Sequence, residues 1–218
     1  MKCHIYIIRH GSTDWNQEFV IQGRQNPHLS NQGMREASEA AEKLTELALK
    51  KIYTSPLFRT TETGNIIGSA LGVAVEASDE LGPRNYGEWE GKKCDTIREE
   101  YSHVFRKLAI STMKSRFEDR PLEDIESYEE IANRVNTLIH NLGDELEDGD
   151  NVLFVTHGGI ISSLLLQCDQ EAYNDIPLLA QDGCALFQYQ NGNISLEKIT
   201  GLNAPRTGSN EEVRTVSF

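Results

Sequence analysis

Two apolar runs organise the chain, Cys3-His4-Ile5-Tyr6-Ile7-Ile8 and Asn151-Val152-Leu153-Phe154-Val155. Neither alternates cleanly with polar residues, which predicts strands buried on both faces, as in a parallel sheet flanked by helices. Each run breaks into a polar, glycine-containing loop: Arg9-His10-Gly11 after the first, Thr156-His157-Gly158-Gly159 after the second. Open α/β sheets hold their ligands at the carboxyl ends of such strands, so both histidines are expected at one sheet edge.

Between the runs the spacing changes to three and four. Met34, Ala37, Ala41, Leu44 and Leu47 predict an amphipathic helix from about Asn31 to Leu47, with Ser30 as its N-cap. Lys51 to Thr54 reads as a short strand. Pro56 is placed to be the first residue of a helix that ends at Leu71 before Gly72, with Arg59 in its first turn. Val73 to Glu76 reads as a third strand. The stretch Leu81-Gly82-Pro83-Arg84-Asn85-Tyr86-Gly87-Glu88-Trp89-Glu90-Gly91 reads as a loop over the site.

A helical region is expected from about Asp95 to Leu108, and a mobile lid or irregular connection from Ser111 to Asp124. Ser127-x-x-Glu130 is a capping box that opens a helix through Leu142. Asp148-Gly149-Asp150 is a turn, and Gly158-Gly159 opens a helix through Leu166, whose dipole and free N–H groups favour an anion. Asn191-Gly192, between Ala185–Tyr189 and Ile194–Ile199, signals a hairpin. The fold class is therefore α/β with a mostly parallel sheet and an antiparallel edge. One domain over residues 1–203 is expected, with a disordered tail at 204–218, where apolar content is low.

Composition narrows the chemistry. A net charge of −13 over 218 residues argues against a general affinity for nucleic acid or an anionic membrane. An anionic substrate must then be drawn by a local field, such as Arg9, Arg59 and Arg24 converging in a pocket. Arg9 offers a planar fork suited to phosphate or carboxylate, and His10 is a nitrogen base that can also attack as a nucleophile. Cys3, Cys94, Cys168 and Cys184 lack CxxC spacing, which argues against a zinc knuckle or redox pair. No run reaches the length of a membrane span and no secretory signal is visible, so a cytoplasmic protein is expected. Oligomeric state is not legible.

Arg9-His10-Gly11-Ser12-Thr13, Asn16, Gln22-Gly23, Ser55-Pro56-Leu57-x-Arg59 and Thr156-His157-Gly158-Gly159 together resemble the histidine phosphatase superfamily, the phosphoglycerate mutase-like proteins. The resemblance runs from about Lys2 to Asn203. It implies a three-layer helix/sheet/helix sandwich and a phosphohistidine formed on His10, with Arg9, Arg59 and His157 around the phosphoryl group. Thr13, Asn16, Gly23 and Gly158 match substrate-binding positions, and Arg84 is a further candidate contact. Two guanidiniums and two imidazoles suffice for the charge stabilisation that dominates phosphoryl transfer, so neither metal nor cofactor is expected.

The family's proton donor lies in a Leu-x-Glu-x-x-x-Gly segment; aligned on Leu81 and Gly87, that position is Pro83. Glu88 and Glu80 are the nearest replacements, with Glu88 favoured. The remaining readings are a good leaving group, slow turnover or lost activity. A phosphomonoesterase acting on a small phosphoester is preferred over a cofactor-dependent phosphoglycerate mutase, because the stretch after Gly91 lacks the mutase branch's long insertion. A phosphate-binding module with little turnover is the third reading.

Overall fold

The structure, a computed structural model, describes residues 2–143, 145–173 and 175–202. The expected tail, 204–218, lies outside the described residues. Among the described residues six strands form one sheet in the order β3-β2-β4-β1-β5-β6: β1 (Lys2–Arg9), β2 (Leu49–Thr54), β3 (Val75–Ala77), β4 (Asn151–Thr156), β5 (Leu179–Gln190) and β6 (Asn193–Leu202). The pairs β1/β4, β2/β4 and β2/β3 are parallel, and β5 and β6 add the antiparallel edge.

Both central strands are buried on both faces, and their period of two divides the core. Cys3, Ile5, Ile7, Val152 and Phe154 face one cluster, with helices α7 (Tyr128–Gly143) and α8 (Gly158–Cys168). Tyr6, Ile8, Leu153 and Val155 face the other, with α2 (Asn31–Leu44) and α3 (Phe58–Leu71). Side chains of successive strand residues point to opposite faces, so an unbroken apolar run serves two helix layers at once. The result is a helix/sheet/helix sandwich. A third cluster, built on Trp89, Ile97, Val104 and Ile125, joins the loop after β3 to α4 (Cys94–Glu100) and α5 (Ser102–Ile110).

Register positions the site. Ile8 pairs with Val155 and Arg9 with Thr156 in β1/β4, and Thr54 pairs with Val155 in β2/β4. Three neighbouring parallel strands thus end at one level, and the next residues are His10, His157 and Ser55. The loop after β1 lies against the start of α2: a Cβ on Gly33 would stand 2.0 Å from the Ser12 carbonyl, and one on Gly11 2.4 Å from the Gly33 carbonyl. The backbone that Gly11 admits so closely is that of α2.

Several elements differ from their sequence expectation. α3 starts at Phe58 with Leu57 as N-cap, so Pro56 precedes the helix rather than opening it; Arg59 remains in the first turn. Strand β3 begins at Val75, two residues late. The expected lid contains a helix, α6 (Met113–Glu118), capped by the Thr112 side chain, which accepts from Ser115 N–H, and anchored by buried Phe117. Its weak periodicity reflects one inward residue in a short helix. Ser30 caps α2 by accepting from Gly33 N–H, and the Ser127/Glu130 capping box forms as expected, at 2.8 and 3.1 Å. The hairpin turn has φ of 51° at Asn191 and 83° at Gly192, the pair of positive values that a type I′ turn requires.

Candidate active site

His10 leaves β1 with its N–H bonded to the Thr156 carbonyl at 2.9 Å, which ties the two histidine strands together at their ends. Its side chain is buried, and Nδ1 lies 2.7 Å from the Gly11 carbonyl. A carbonyl only accepts, so that bond places the imidazole proton on Nδ1 and leaves the lone pair on Nε2. The His10 carbonyl accepts from Gln181 Nε2, and Gly11 N–H donates to Thr63 Oγ1 at 3.0 Å.

His157 stands opposite, its ring centroid 5.3 Å from that of His10. Its Nε2 is 2.8 Å from Ser55 Oγ, which in turn is 2.6 Å from Thr60 Oγ1. Its Nδ1 is buried without a hydrogen-bond partner among the described residues. When the Ser55 hydroxyl donates to Nε2, the imidazole's own proton sits on Nδ1, free to donate to a phosphoryl oxygen.

Both histidines are held well below the ordinary value of 6.5. Burial is the main cause for each; Arg9 and Arg59 add to it at His10, and Arg59, His10, Arg9 and Arg134 at His157. His10 is thereby kept neutral, the form that can attack. A linked stability effect follows. Below about pH 6.5 the unfolded chain binds protons at these positions that the folded chain refuses, so stability rises with pH in that window and falls on acidification. Each histidine contributes at most about 1.4 kcal/mol per pH unit. We expect denaturant melts between pH 5 and 7 to show a shallower slope in a His10→Gln, His157→Gln double variant than in the native chain; equal slopes would contradict the assignment.

Arg59 is the largest fully buried side chain, 1% exposed, and donates from Nη1 to the Gln25 carbonyl and from Nη2 to the Gly23 carbonyl, each at 2.8 Å. Burial, with Arg9 nearby, pushes its guanidinium down to about 10, so it remains charged at neutral pH. The Arg59 and Arg9 Nε groups are both buried and unpaired among the described residues, a donor set that suits the oxygens of a phosphate. Thr13 is fully buried and donates to Asn16 Oδ1 at 3.0 Å while accepting from Gln22 Nε2 at 2.8 Å. Gly158 begins α8 immediately after His157.

Arg84 is buried and sits at the rim of this cradle: its Cβ is 3.2 Å from where a Cβ on Gly159 would lie, and its Nε donates to the Glu126 carbonyl at 2.7 Å. Arg24, by contrast, is exposed. The two carboxylates expected as proton donors are not brought to the histidines. Glu88 is exposed, with its backbone N–H on Asp124 and its side chain on Tyr101. Glu80 accepts from Ser78 Oγ at 2.5 Å, which holds its carboxyl low. The expectation for both rested on nearness in sequence to Pro83, and the 3-10 turns at Asp79–Leu81 and Gly87–Trp89 carry them elsewhere.

Sequence reasoning did not assign roles to Ser55, Gln181, Glu36 or Arg134. Ser55 lay inside the quoted Ser-Pro-Leu-x-Arg motif, so its signal was present. Glu36 accepts from the N–H and hydroxyl of Ser12 at 2.7 and 3.0 Å. Arg134 fastens the 80–83 loop by donating to the Glu80 and Pro83 carbonyls and to Glu126. Among the described residues no group of three or more His, Cys, Asp or Glu is arranged to hold a metal ion, and no helix is long and apolar enough to cross a membrane.

A family model described as the histidine phosphatase superfamily (branch 1) matches residues 5–200. The protein named probable phosphoglycerate mutase GpmB of Escherichia coli O1:K1 is 32% identical over 161 residues, 74% of this chain and 72% of its own. Among solved structures, the mycobacterial glucosyl-3-phosphoglycerate phosphatase with VO3 superposes with a TM-score of 0.76 at 22% identity, covering 89% of this chain and 96% of its own. The phosphoglycerate mutase of Bacillus anthracis gives 0.77 at 23% identity, covering 90% and 92%. Both show the same fold around different activities.

Proposed function

The chain belongs to the histidine phosphatase superfamily (branch 1), and from that premise we propose that it is a metal-independent phosphomonoester hydrolase working through a phosphohistidine on His10. One observation carries the reading: His10 is buried beside Arg9 and Arg59 with Nδ1 committed to the Gly11 carbonyl, which leaves Nε2 as an unprotonated nucleophile. In this reading Nε2 attacks phosphorus in line with the departing oxygen. Arg9, Arg59 and His157 Nδ1 stabilise the charge on the equatorial oxygens, a role in which preorganised donors in a dry site are most effective. The phosphate-site residues Thr13, Asn16, Gly23 and Gly158 complete the cradle, and water hydrolyses the phosphohistidine. A cytoplasmic location is part of the same proposal.

The name of the Escherichia coli relative favours a second reading, a phosphoglycerate mutase. The two differ in what leaves the enzyme. We expect inorganic phosphate to be released from phosphomonoesters in the presence of a chelator, at a rate above any interconversion of phosphoglycerates. Phosphoglycerate interconversion that needs a bisphosphoglycerate primer and releases little phosphate would replace the hydrolase with the mutase.

A further inference from the structure

Glu90 stands where two loops are fastened together. Trp89 before it is buried, its own N–H donates to the Gly87 carbonyl at 3.1 Å, and Gly91 N–H donates to the Ile21 carbonyl at 2.8 Å. The turn at Gly87–Trp89 is thereby tied to the segment that leads into Gly23. Gly23 has a φ of 48° and no Cβ, and the Glu90 carboxyl fills the space beside it: a Cβ on Gly23 would stand 2.1 Å from Oε1 and 2.3 Å from Cδ. The Gly23 carbonyl accepts from Arg59 Nη2 at 2.8 Å. Carboxylate and guanidinium thus meet the same residue, and the Glu90 charge partly offsets the downward push that burial and Arg9 exert on Arg59.

The two carboxyl oxygens are used differently. Oε1 accepts from Tyr86 N–H at 3.1 Å. Oε2 takes no bond from any described residue and is not sealed away from solvent. Other carboxylates on the surrounding loops have both oxygens occupied: Glu36 by the N–H and hydroxyl of Ser12, Glu62 by His28 and the Leu29 N–H, and Glu126 by Arg134 and the Asn85 N–H. A carboxyl anchored by one oxygen and open at the other can give and take a proton without leaving its place.

The chemistry has a use for such a group. An alcohol oxygen that departs without a proton leaves as an alkoxide, of basicity near that of hydroxide (water pKa about 15.7). Building on the phosphohistidine reading above, we propose that Glu90 is the general acid and base of the reaction, acting through Oε2, and that esters of aliphatic alcohols are substrates. His10 Nε2 forms its bond to phosphorus as the phosphorus–oxygen bond to the alcohol breaks. The electron pair of that bond stays on the departing oxygen, which takes the Glu90 proton and leaves as the neutral alcohol. The Glu90 carboxylate then takes a proton from the water that attacks the phosphohistidine. Inorganic phosphate is released, the lone pair returns to Nε2, and Glu90 is again protonated.

The test is kcat/KM for glycerol 2-phosphate and substituted phenyl phosphates, with the rate at which acetyl phosphate phosphorylates His10, in the native chain and in Glu90→Gln. The glutamine keeps an oxygen for the Tyr86 N–H and loses only the acid. For the native chain we expect rates to change by less than about threefold per unit of leaving-group pKa, because the acid relieves the charge on the departing oxygen. In Glu90→Gln, glycerol 2-phosphate turnover should fall by about 10²- to 10³-fold, the scale of a lost general acid. Phosphorylation by acetyl phosphate should be unchanged, since acetate leaves without a proton, and the phosphohistidine should persist longer. A steep leaving-group dependence in the native chain overturns the proposal. So does an equal loss with acetyl phosphate, which would make Glu90 a loop anchor, or undiminished turnover of glycerol 2-phosphate in the variant. If acetyl phosphate phosphorylates His10 of the native chain while one of these results appears, the Glu90 assignment alone is wrong; if His10 is not phosphorylated, the underlying reading falls with it.

Discussion

Replacing His10 with alanine is expected to lower kcat/KM for phosphate release by about 10⁴-fold or more, the scale on which enzymes lose rate when a covalent nucleophile is removed. The geometry explains why no neighbour can substitute. His157 has its Nε2 on Ser55 Oγ at 2.8 Å, so in the proposed mechanism its remaining nitrogen serves the phosphoryl oxygens rather than phosphorus. The variant should fold, since the strand register around position 10 depends on the backbone bond from its N–H to the Thr156 carbonyl at 2.9 Å. Circular dichroism and a thermal melt alongside the kinetics separate loss of chemistry from loss of structure. Activity within tenfold of native in a folded His10→Ala chain would move the nucleophile elsewhere.

The second large effect is expected at Arg59. Its two bonds to the Gly23 and Gln25 carbonyls, each 2.8 Å, pin the 23–25 loop, and the side chain is 1% exposed. Arg59→Met removes a charge from the cradle and strands two carbonyls, so it should cost about 3 kcal/mol of stability and about 10³-fold in kcat/KM. Arg59→Lys keeps the charge but loses the planar fork that reaches two carbonyls at once. It should recover most of the stability and little of the rate. Equal activity of the lysine and arginine forms would mean that charge alone, without the loop, is what Arg59 provides.

How far the sequence reached depends on how local each signal was. The strands that carry His10 and His157 were legible because a both-faces-buried strand writes itself as a continuous apolar run, and the motif after each run marked the site. That the two histidines meet follows from parallel register between residues far apart in the chain, which the shared architecture of the runs implied. The helix α6 was not legible, because a six-residue helix with a single buried anchor leaves no periodic trace. Gln181 and Arg134 were not legible either. Each acts on a carbonyl distant in sequence, and a lone glutamine or arginine looks the same whether it binds solvent or a loop. Glu88 and Glu80 were misplaced because nearness to Pro83 along the chain is a poor guide where two 3-10 turns redirect successive side chains. Arg84 is a candidate contact in the sequence, and the fold sets its side chain against Gly159.

The claim on which the account rests is that the phosphoryl group passes through His10. The most direct measurement is to mix the native chain with acetyl phosphate or a phenyl phosphate in chelator, quench in alkali, and map the phosphorylated peptide by mass spectrometry. The account predicts one acid-labile, alkali-stable phosphoryl group on His10, absent from His10→Ala. Phosphate release by the native chain with no phosphohistidine on His10, or with the label on another residue, would contradict it.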